Sequence, residues 1–97
     1  MTYYVAIVED GGPDAAIGVW FPDLPGCFSA GDDVESALKN AEEALLLYFD
    51  ELVQTGRSLP KPRSVAELKQ DPEARADMEK YIIALVPFRQ HDLHAAE

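Results

Sequence analysis

Four runs of mostly hydrophobic residues have the length and composition of β-strands. Residues 3–8 are aromatic, β-branched or alanine on both faces, which predicts a central strand that is covered on both sides. Residues 16–21 and 26–30 predict two further strands, and the short connections before them favour antiparallel pairing. Residues 81–88 are nearly all apolar and predict a fourth strand.

One long amphipathic helix is predicted between the third and the fourth strand. Apolar residues recur at helical spacing over about two dozen positions, and the stripe consists of Val34, Ala37, Leu38, Ala41, Leu45, Tyr48 and Leu52. Asp32 or Asp33 is the expected N-cap, with Glu35 three residues after Asp32 as in a capping box. Gly56 is the expected end of the helix.

Three more large apolar residues, Leu46, Leu47 and Phe49, lie beside this stripe and widen the apolar face of the second half of the helix. A surface for a partner or for self-association would have this pattern. We favour the interpretation that the sheet and the following segment cover these side chains.

Two short helices are predicted before the fourth strand. Ser64 and Glu67 have the spacing of a capping box, which predicts a helix to about residue 70. Asp71 and Pro72 predict another helix to about residue 79, because aspartate is a common N-cap and proline is favoured at the first helical position.

The expected fold is α+β, in the order strand, strand, strand, long helix, short helical segment, strand. A buried strand that follows a helix usually returns to the sheet by a right-handed crossover. We therefore expect the fourth strand beside the first and parallel to it, in a sheet of order 3-2-1-4 with the long helix across one face. Residues 1–88 are predicted to form one domain and residues 89–97 a polar tail.

The connection between the second and third strands has the most distinctive sequence in the chain. The motif consists of Trp20, Phe21, Pro22, Asp23, Leu24, Pro25, Gly26, Cys27, Phe28 and Ser29, followed by Gly31 and Asp32. Two prolines restrict φ and a glycine supplies the flexible point, which predicts a rigid corner. Cys27 is the only cysteine, which excludes an internal disulfide and a cysteine-built zinc site, and we expect it to be a buried hydrophobic residue.

Acidic residues dominate the first part of the chain. The formal net charge is −10, and the first basic residue is Lys39. The acidic residues before it are Glu9, Asp10, Asp14, Asp23, Asp32, Asp33 and Glu35. This charge disfavours direct binding of nucleic acid and attracts a basic partner. The alternative is that the acidity only keeps a small protein soluble.

The sequence has no signal for export. The N-terminus lacks the basic residues of a signal peptide, and no apolar run approaches the length of a membrane span. We therefore expect a cytoplasmic protein that does not contact membranes. A chain of 97 residues has a modest core, so a partner or a homodimer would stabilise it.

The corner and the residues after it resemble the N-terminal domain of HicB antitoxins. The resemblance rests on the segment from Trp20 to Ser29, on Gly31 and Asp32, and on the alanine-rich segment 35–45. The first strand and the proline-containing loop after the helix also fit. The resemblance implies a partial RNase H-like fold with the strand order given above.

The same resemblance implies the antitoxin of a type II toxin–antitoxin system. The implied partner is HicA, a small basic ribonuclease that cleaves mRNA and has a catalytic histidine. The antitoxin would block the active site or the RNA surface of this toxin and would need no catalytic residue, cofactor or metal of its own. Many family members carry a C-terminal DNA-binding domain, but the segment after Phe88 is too short for one, so we expect no DNA binding by this chain.

An RNase H-like fold would also suit a nuclease, in which carboxylates in the first strand hold two divalent metal ions. Residues 3–8 include no carboxylate, and Glu9 and Asp10 come only at the end of this strand. We therefore expect no enzymatic activity. A phosphate site at the N-terminus of the long helix is disfavoured because Asp32 and Asp33 would repel an anion.

Two further alternatives are weaker. His91 and His94 have the spacing of metal ligands on a helix, but a solvated tail is the favoured interpretation. An orphan HicB-like module, regulatory or ligand-binding and without a toxin, would need a pocket lined by residues such as Trp20, Tyr48 and Phe49. These three are candidates for the core first.

Two kinds of surface are candidates for binding the toxin. One is an acidic rim formed by Glu9, Asp10, Asp14 and Asp23. The other is an exposed sheet edge, either the fourth strand or the short third strand, that is open to the addition of a strand. The same edges would also serve a homodimer.

Overall fold

The structure is a computed structural model that describes residues 2–89. Every predicted strand and helix is present, in the predicted order and with ends that differ by only a few residues. The elements are β1 (Thr2–Asp10), β2 (Ile17–Trp20), β3 (Phe28–Gly31), α1 (Val34–Gln54), α2 (Val65–Leu68), α3 (Pro72–Lys80) and β4 (Ile82–Phe88).

The four strands form one sheet in the order β3-β2-β1-β4. The predicted α+β fold and the predicted strand order are therefore confirmed. The predicted direction of β4 is wrong, because β4 is antiparallel to β1, with Thr2 opposite Phe88 and Val8 opposite Ile82.

The position of α2 and α3 explains the direction of β4. Leu68 of α2 and Met78 of α3 pack with Ile7 of β1 on one face of the sheet, whereas α1 packs on the other face. The segment before α2 starts near the beginning of β1, where the hydroxyl of Tyr4 donates a hydrogen bond to the carbonyl of Pro60. Through α2 and α3, the chain then crosses the face of the sheet opposite α1 toward the end of β1. A strand that begins at that end runs antiparallel to β1.

The main core lies between α1 and the sheet. β1 contributes alternate residues, Tyr4, Ala6 and Val8, to this face. The buried residues of α1 are Ala37, Ala41, Leu45, Phe49 and Leu52. The Phe49 ring is fully buried, with its centroid 4.5 Å from that of Phe88 and 5.2 Å from that of Tyr4.

The burial of Phe49 corrects the predicted apolar stripe of α1. The stripe placed Tyr48 in the core and Phe49 beside it, but Tyr48 is only partly buried at the margin of the core. Leu47 is 71% exposed, so the prediction that the neighbouring residues of the stripe are all covered is wrong for this residue.

A second, smaller core lies between the sheet and the two short helices. Val5 and Ile7 of β1 pack there with Leu68, Ala74 and Met78. β1 is thus covered on both faces, which confirms the prediction of a central strand.

The N-cap of α1 differs by one residue from the predicted capping box. Asp33 is the N-cap, and its Oδ1 accepts a hydrogen bond of 2.7 Å from the backbone N–H of Ser36. The capping box therefore pairs Asp33 with Ser36, and the predicted pair of Asp32 with Glu35 is wrong. Gly56 follows the helix with a φ of +71°, which confirms it as the stop.

Candidate partner-binding surfaces

The end of the sheet where β1 turns into β2 carries exposed carboxylates. Glu9 and Asp10 are the last residues of β1, and Asp14 lies in the turn that follows. The backbone N–H of Gly12 donates a hydrogen bond of 3.1 Å to Oδ1 of Asp10, which holds the start of this turn. All three side chains are exposed, and they lie at the end of β1 or in the turn that follows it.

The register of the sheet brings a second acidic segment to the same end. Asp10 lies opposite Ile17, and Ile17 lies opposite Gly31, the last residue of β3. The exposed acidic residues just after β3 are Asp32, Asp33 and Glu35. We call the combined surface the acidic end, and it consists of Glu9, Asp10, Asp14, Asp32, Asp33 and Glu35.

The acidic rim predicted from the sequence includes the first three of these residues but not the second segment. The signal that would have found it is the antiparallel register of the predicted strands. A third strand that pairs antiparallel with the second must end beside the start of the second. The residues that follow it therefore lie near the first turn.

The charge of the acidic end is not balanced by ion pairs in the part of the chain that the structure describes. The three ion pairs within residues 2–89 involve only Arg63 and Arg75 as cations, and their partners lie elsewhere. A hydrogen bond from the backbone N–H of Ser36 lowers the pKa of Asp33, which favours its ionised form. Uncompensated carboxylates close together create a negative potential at this end of the molecule.

Asp23 does not lie with the other residues of the predicted rim. It follows β2 at the opposite end of the sheet, where its side chain is only 7% exposed. Arg63 donates to it from its backbone N–H at 2.8 Å and from Nε at 2.6 Å. The predicted rim of four residues is therefore not one surface.

Arg63 also connects the corner to α3. Its Nη1 lies 3.2 Å from the carboxylate of Asp71, the N-cap of that helix. The hydrogen bond with Asp23 raises the pKa of Arg63, and the hydrogen bond from Arg63 lowers the pKa of Asp71. These contacts give Asp23 a structural role. Through Arg63 it joins the corner between β2 and β3 to the N-terminus of α3, on the face of the sheet opposite α1.

Buried side chains and backbone hydrogen bonds of the motif stabilise the corner between β2 and β3. Phe21, Leu24 and Cys27 are buried. The backbone N–H of Leu24 donates to the Phe21 carbonyl at 3.1 Å, and that of Cys27 to the Leu24 carbonyl at 3.0 Å. Gly26 has a φ of +86°, a conformation that favours glycine. Burial raises the pKa of the Cys27 thiol to about 11, so the thiol stays protonated and unreactive.

The residues suggested for a ligand pocket do not come together. Trp20 lies on the face covered by α3, where its Nε1 donates a hydrogen bond of 3.4 Å to Asp77 and its ring meets Tyr81 edge-on at 5.2 Å. Phe49 lies in the core on the opposite face. Tyr48 lies near the corner, where its hydroxyl donates to the Pro25 carbonyl at 3.1 Å.

β4 is the second candidate surface. It lies at one edge of the sheet, and within residues 2–89 no strand pairs with its outer side. Ile82 is 51% exposed, Ile83 38% and Leu85 58%, whereas Val86 and Phe88 are buried. The expectation that the fourth strand is buried is therefore wrong for Ile82, Ile83 and Leu85. An apolar surface is left open along this edge.

The described residues contain no group of three or more histidine, cysteine, aspartate or glutamate side chains that could hold a metal ion. The centre of β1, from Tyr4 to Val8, is buried and carries no carboxylate. His91 and His94 lie outside the described residues.

Among the helices found within residues 2–89, none has the length and apolar character needed to span a membrane.

The chain matches a family of bacterial proteins over nearly its whole length. The family is described as the HicB-like antitoxin of a bacterial toxin–antitoxin system, and the match extends over residues 3–95. Antitoxin HicB 2 of Photorhabdus laumondii is 39% identical over 67 residues, which cover 69% of this chain and 46% of that protein. The chain spans less than half the length of two curated relatives that it matches, 39% of one and 46% of the other.

Solved structures with the same fold include HicB antitoxins. The antitoxin HicB of Burkholderia pseudomallei superposes with a TM-score of 0.78 at 27% identity, over 98% of this chain and 69% of that chain. A chain of the HicA3 and HicB3 toxin–antitoxin complex superposes with a TM-score of 0.70 at 27% identity, over 91% of this chain and 99% of that chain.

Proposed function

The chain belongs to the family of HicB-like antitoxins of bacterial toxin–antitoxin systems, and we propose that it neutralises a small basic ribonuclease toxin of the HicA type by covering the active site of that toxin. The observation that carries the proposal is the family match over residues 3–95. The likeness to a chain of the HicA3 and HicB3 complex supports a toxin as the partner.

Charge complementarity favours the acidic end as the contact surface. The chain has a net charge of −10, and six exposed carboxylates gather at this one end. A ribonuclease carries a basic surface because it must approach the phosphates of RNA. Opposite charges steer the two proteins together. The carboxylates of the acidic end, bound to the basic surface of the toxin, would take the place of the RNA phosphates.

The acidic end is held by rigid elements, which reduces the entropy lost on binding. Glu9 and Asp10 extend from the central strand β1, and Asp33 is held by its capping box at the start of α1. Occlusion of an active site requires only such a fixed surface. No bond in the toxin has to be made or broken.

The test compares two charge reversals of equal size. Asp10→Lys with Asp14→Lys changes the acidic end. Glu43→Lys with Glu51→Lys makes the same change in net charge at exposed positions along α1, away from the acidic end. The ligand is the small basic protein that is recovered with the tagged chain from its native cells at low salt.

We expect the acidic-end variant to bind this protein about tenfold more weakly at low salt, since two reversed surface charges together contribute on the order of 1.4 kcal/mol. Its affinity should also depend less on salt, and it should protect RNA less well from cleavage. The α1 variant should resemble the unchanged chain. Equal losses in both variants, or no loss in either, would show that the acidic end is not the contact surface. Recovery of no basic protein would favour the orphan module.

A further inference from the structure

We propose that a cleft between α2, α3 and the start of β4 binds a small organic anion that carries one negative charge on an apolar body, such as a medium-chain carboxylate. This proposal does not depend on the toxin. The cleft is also distinct from the pocket predicted from Trp20, Tyr48 and Phe49. The proposal rests on the size of the cleft, on its apolar floor and on the charged side chains that line it.

The cleft lies where α2 and α3 cover the sheet beside β4. It consists of two adjoining cavities of about 470 and 290 Å³. Both are lined by Lys69, Gln70, Arg75 and Glu79, and the larger one also by Met78 and Ile83. Ligand pockets commonly have volumes of roughly 300–1,000 Å³, so the larger cavity has room for a small organic molecule.

The floor of the cleft is apolar. Met78 packs with Ile7 in the second core and is only 7% exposed. Ile83 lies opposite Ile7 in the sheet, and residues directly opposite each other point to the same face. The two helices nevertheless leave Ile83 38% exposed. The apolar body of a ligand would remove this surface from water, which is favourable.

The charged side chains of the cleft favour an anion with a single charge. They are Lys69, Arg75 and Glu79, whose charges sum to +1 in a chain with a net charge of −10. Nε of Arg75 lies 3.0 Å from Oε1 of Glu79, but both side chains are more than 60% exposed, so this ion pair is weak and a bound anion competes with it. Lys69 takes part in none of the three ion pairs within residues 2–89.

Another apolar groove provides an internal comparison. Phe28 and Leu47, which are 72% and 71% exposed, line a cavity of about 260 Å³ between the corner and α1. The charged side chain of that cavity is Glu51. This groove offers more exposed apolar surface than the cleft, but its charge repels an anion. A probe that follows only apolar surface would therefore bind at Phe28 and Leu47.

Binding in the cleft would stabilise the fold. A ligand that binds the folded chain and not the unfolded chain raises the free energy of unfolding with its concentration. The bound anion would contact α2, α3 and β4 together, and these elements enclose the second core. The stability of the protein would thus depend on the concentration of the anion.

The experiment titrates the full chain, without any partner, with sodium octanoate and follows the amide chemical shifts by NMR. Octanol is the uncharged control, and octyl phosphate at about pH 8, where it carries two charges, is the dianionic control. We expect saturable shift changes at residues 69–79 and at Ile83, with tighter binding of octanoate than of either control. The urea midpoint should rise at saturating octanoate.

Two variants with the same change in net charge complete the test. Lys69→Gln with Arg75→Gln removes the cations of the cleft, and Lys39→Gln with Lys61→Gln removes two exposed cations elsewhere. We expect the first to bind octanoate about fivefold more weakly and the second to bind it like the unchanged chain. Absence of saturable binding, shift changes centred on Phe28 and Leu47, equal affinities of the two variants, equal or tighter binding of either control ligand, or an unchanged urea midpoint would each overturn the proposal.

Discussion

Replacing Gly31 with alanine would test how closely α1 approaches the sheet. Gly31 is the last residue of β3 and lies beneath the first turns of α1. A Cβ atom at this position would lie 2.5 Å from the backbone N of Ala37, 2.8 Å from its Cα and 2.9 Å from the carbonyl carbon of Ser36. All three are backbone atoms, so no rotation of a side chain relieves the contact. The helix itself has to move.

The size of this effect can be worked out from the distances. Non-bonded atoms pack best at roughly 3.5–4 Å, so the start of α1 would have to move by about 1 Å. Overpacking of a core costs about 1–3 kcal/mol. We expect a loss of about 3 kcal/mol of unfolding free energy, at the upper end of that range, because the displaced helix carries the fully buried Ala37 and Ala41. For a domain of this size, Tm would fall by about 15 °C.

Gly18→Ala is the matched control for this experiment. Gly18 pairs with Ala30 in the same sheet, and a Cβ atom there would meet nothing within 4 Å. We expect this variant to be as stable as the unchanged chain or more stable by less than about 1 kcal/mol, since alanine restricts the unfolded chain. Urea unfolding followed by circular dichroism measures both variants. If the two differed by less than about 0.5 kcal/mol, the inferred close approach of α1 would be refuted.

Two further predictions concern the core and the charged groups. Phe49→Ala should lower the unfolding free energy by about 4 kcal/mol, because the ring is fully buried, whereas Phe28→Ala, at a side chain that is 72% exposed, should leave the urea midpoint nearly unchanged; equal midpoints for the two variants would contradict this reasoning. The protein should also lose stability in acid, because hydrogen bonds lower the pKa values of Asp33, Glu67 and Asp71 in the folded state. Since the folded pKa values lie below the unfolded ones, this stabilisation is complete above the ordinary carboxyl pKa values of 3.8 and 4.5 and is lost as the pH falls through the lowered ones; a urea midpoint that is the same at about pH 7 and about pH 3 would contradict it.

Local signals in the sequence were sufficient to predict the helices and strands and the rigid corner between β2 and β3. The capping box of Ser64 with Glu67, the N-cap Asp71 and the stop at Gly56 all lie where the sequence predicts them. Each of these depends on residues that are only a few positions apart. The strand order followed from the short connections between the first three strands and from the apolar character of residues 3–8, which is typical of a central strand.

Features that depend on contacts between distant parts of the chain could not be predicted from such local signals. Tyr48 and Phe49 both continue a helical stripe from Leu45, and only the position of the sheet decides which of the two is buried. Asp23 reads as a surface carboxylate until Arg63, 40 residues later in the chain, is placed beside it. The direction of β4 depends on the face that α2 and α3 occupy.

The pairing of β1 with β4 has a consequence for the synthesis of this protein. β1 is the first of the described elements to be synthesised, and it pairs with β4, with Thr2 opposite Phe88; contacts of such large sequence separation form slowly. Until α2 and α3 have emerged, Val5 and Ile7 lack the residues that cover them, and a nascent chain with such exposed apolar residues is prone to aggregate. The sheet is therefore completed only after β4 has emerged from the ribosome, and a ribosome that stalls before residue 82 releases a chain in which one side of the central strand is unpaired.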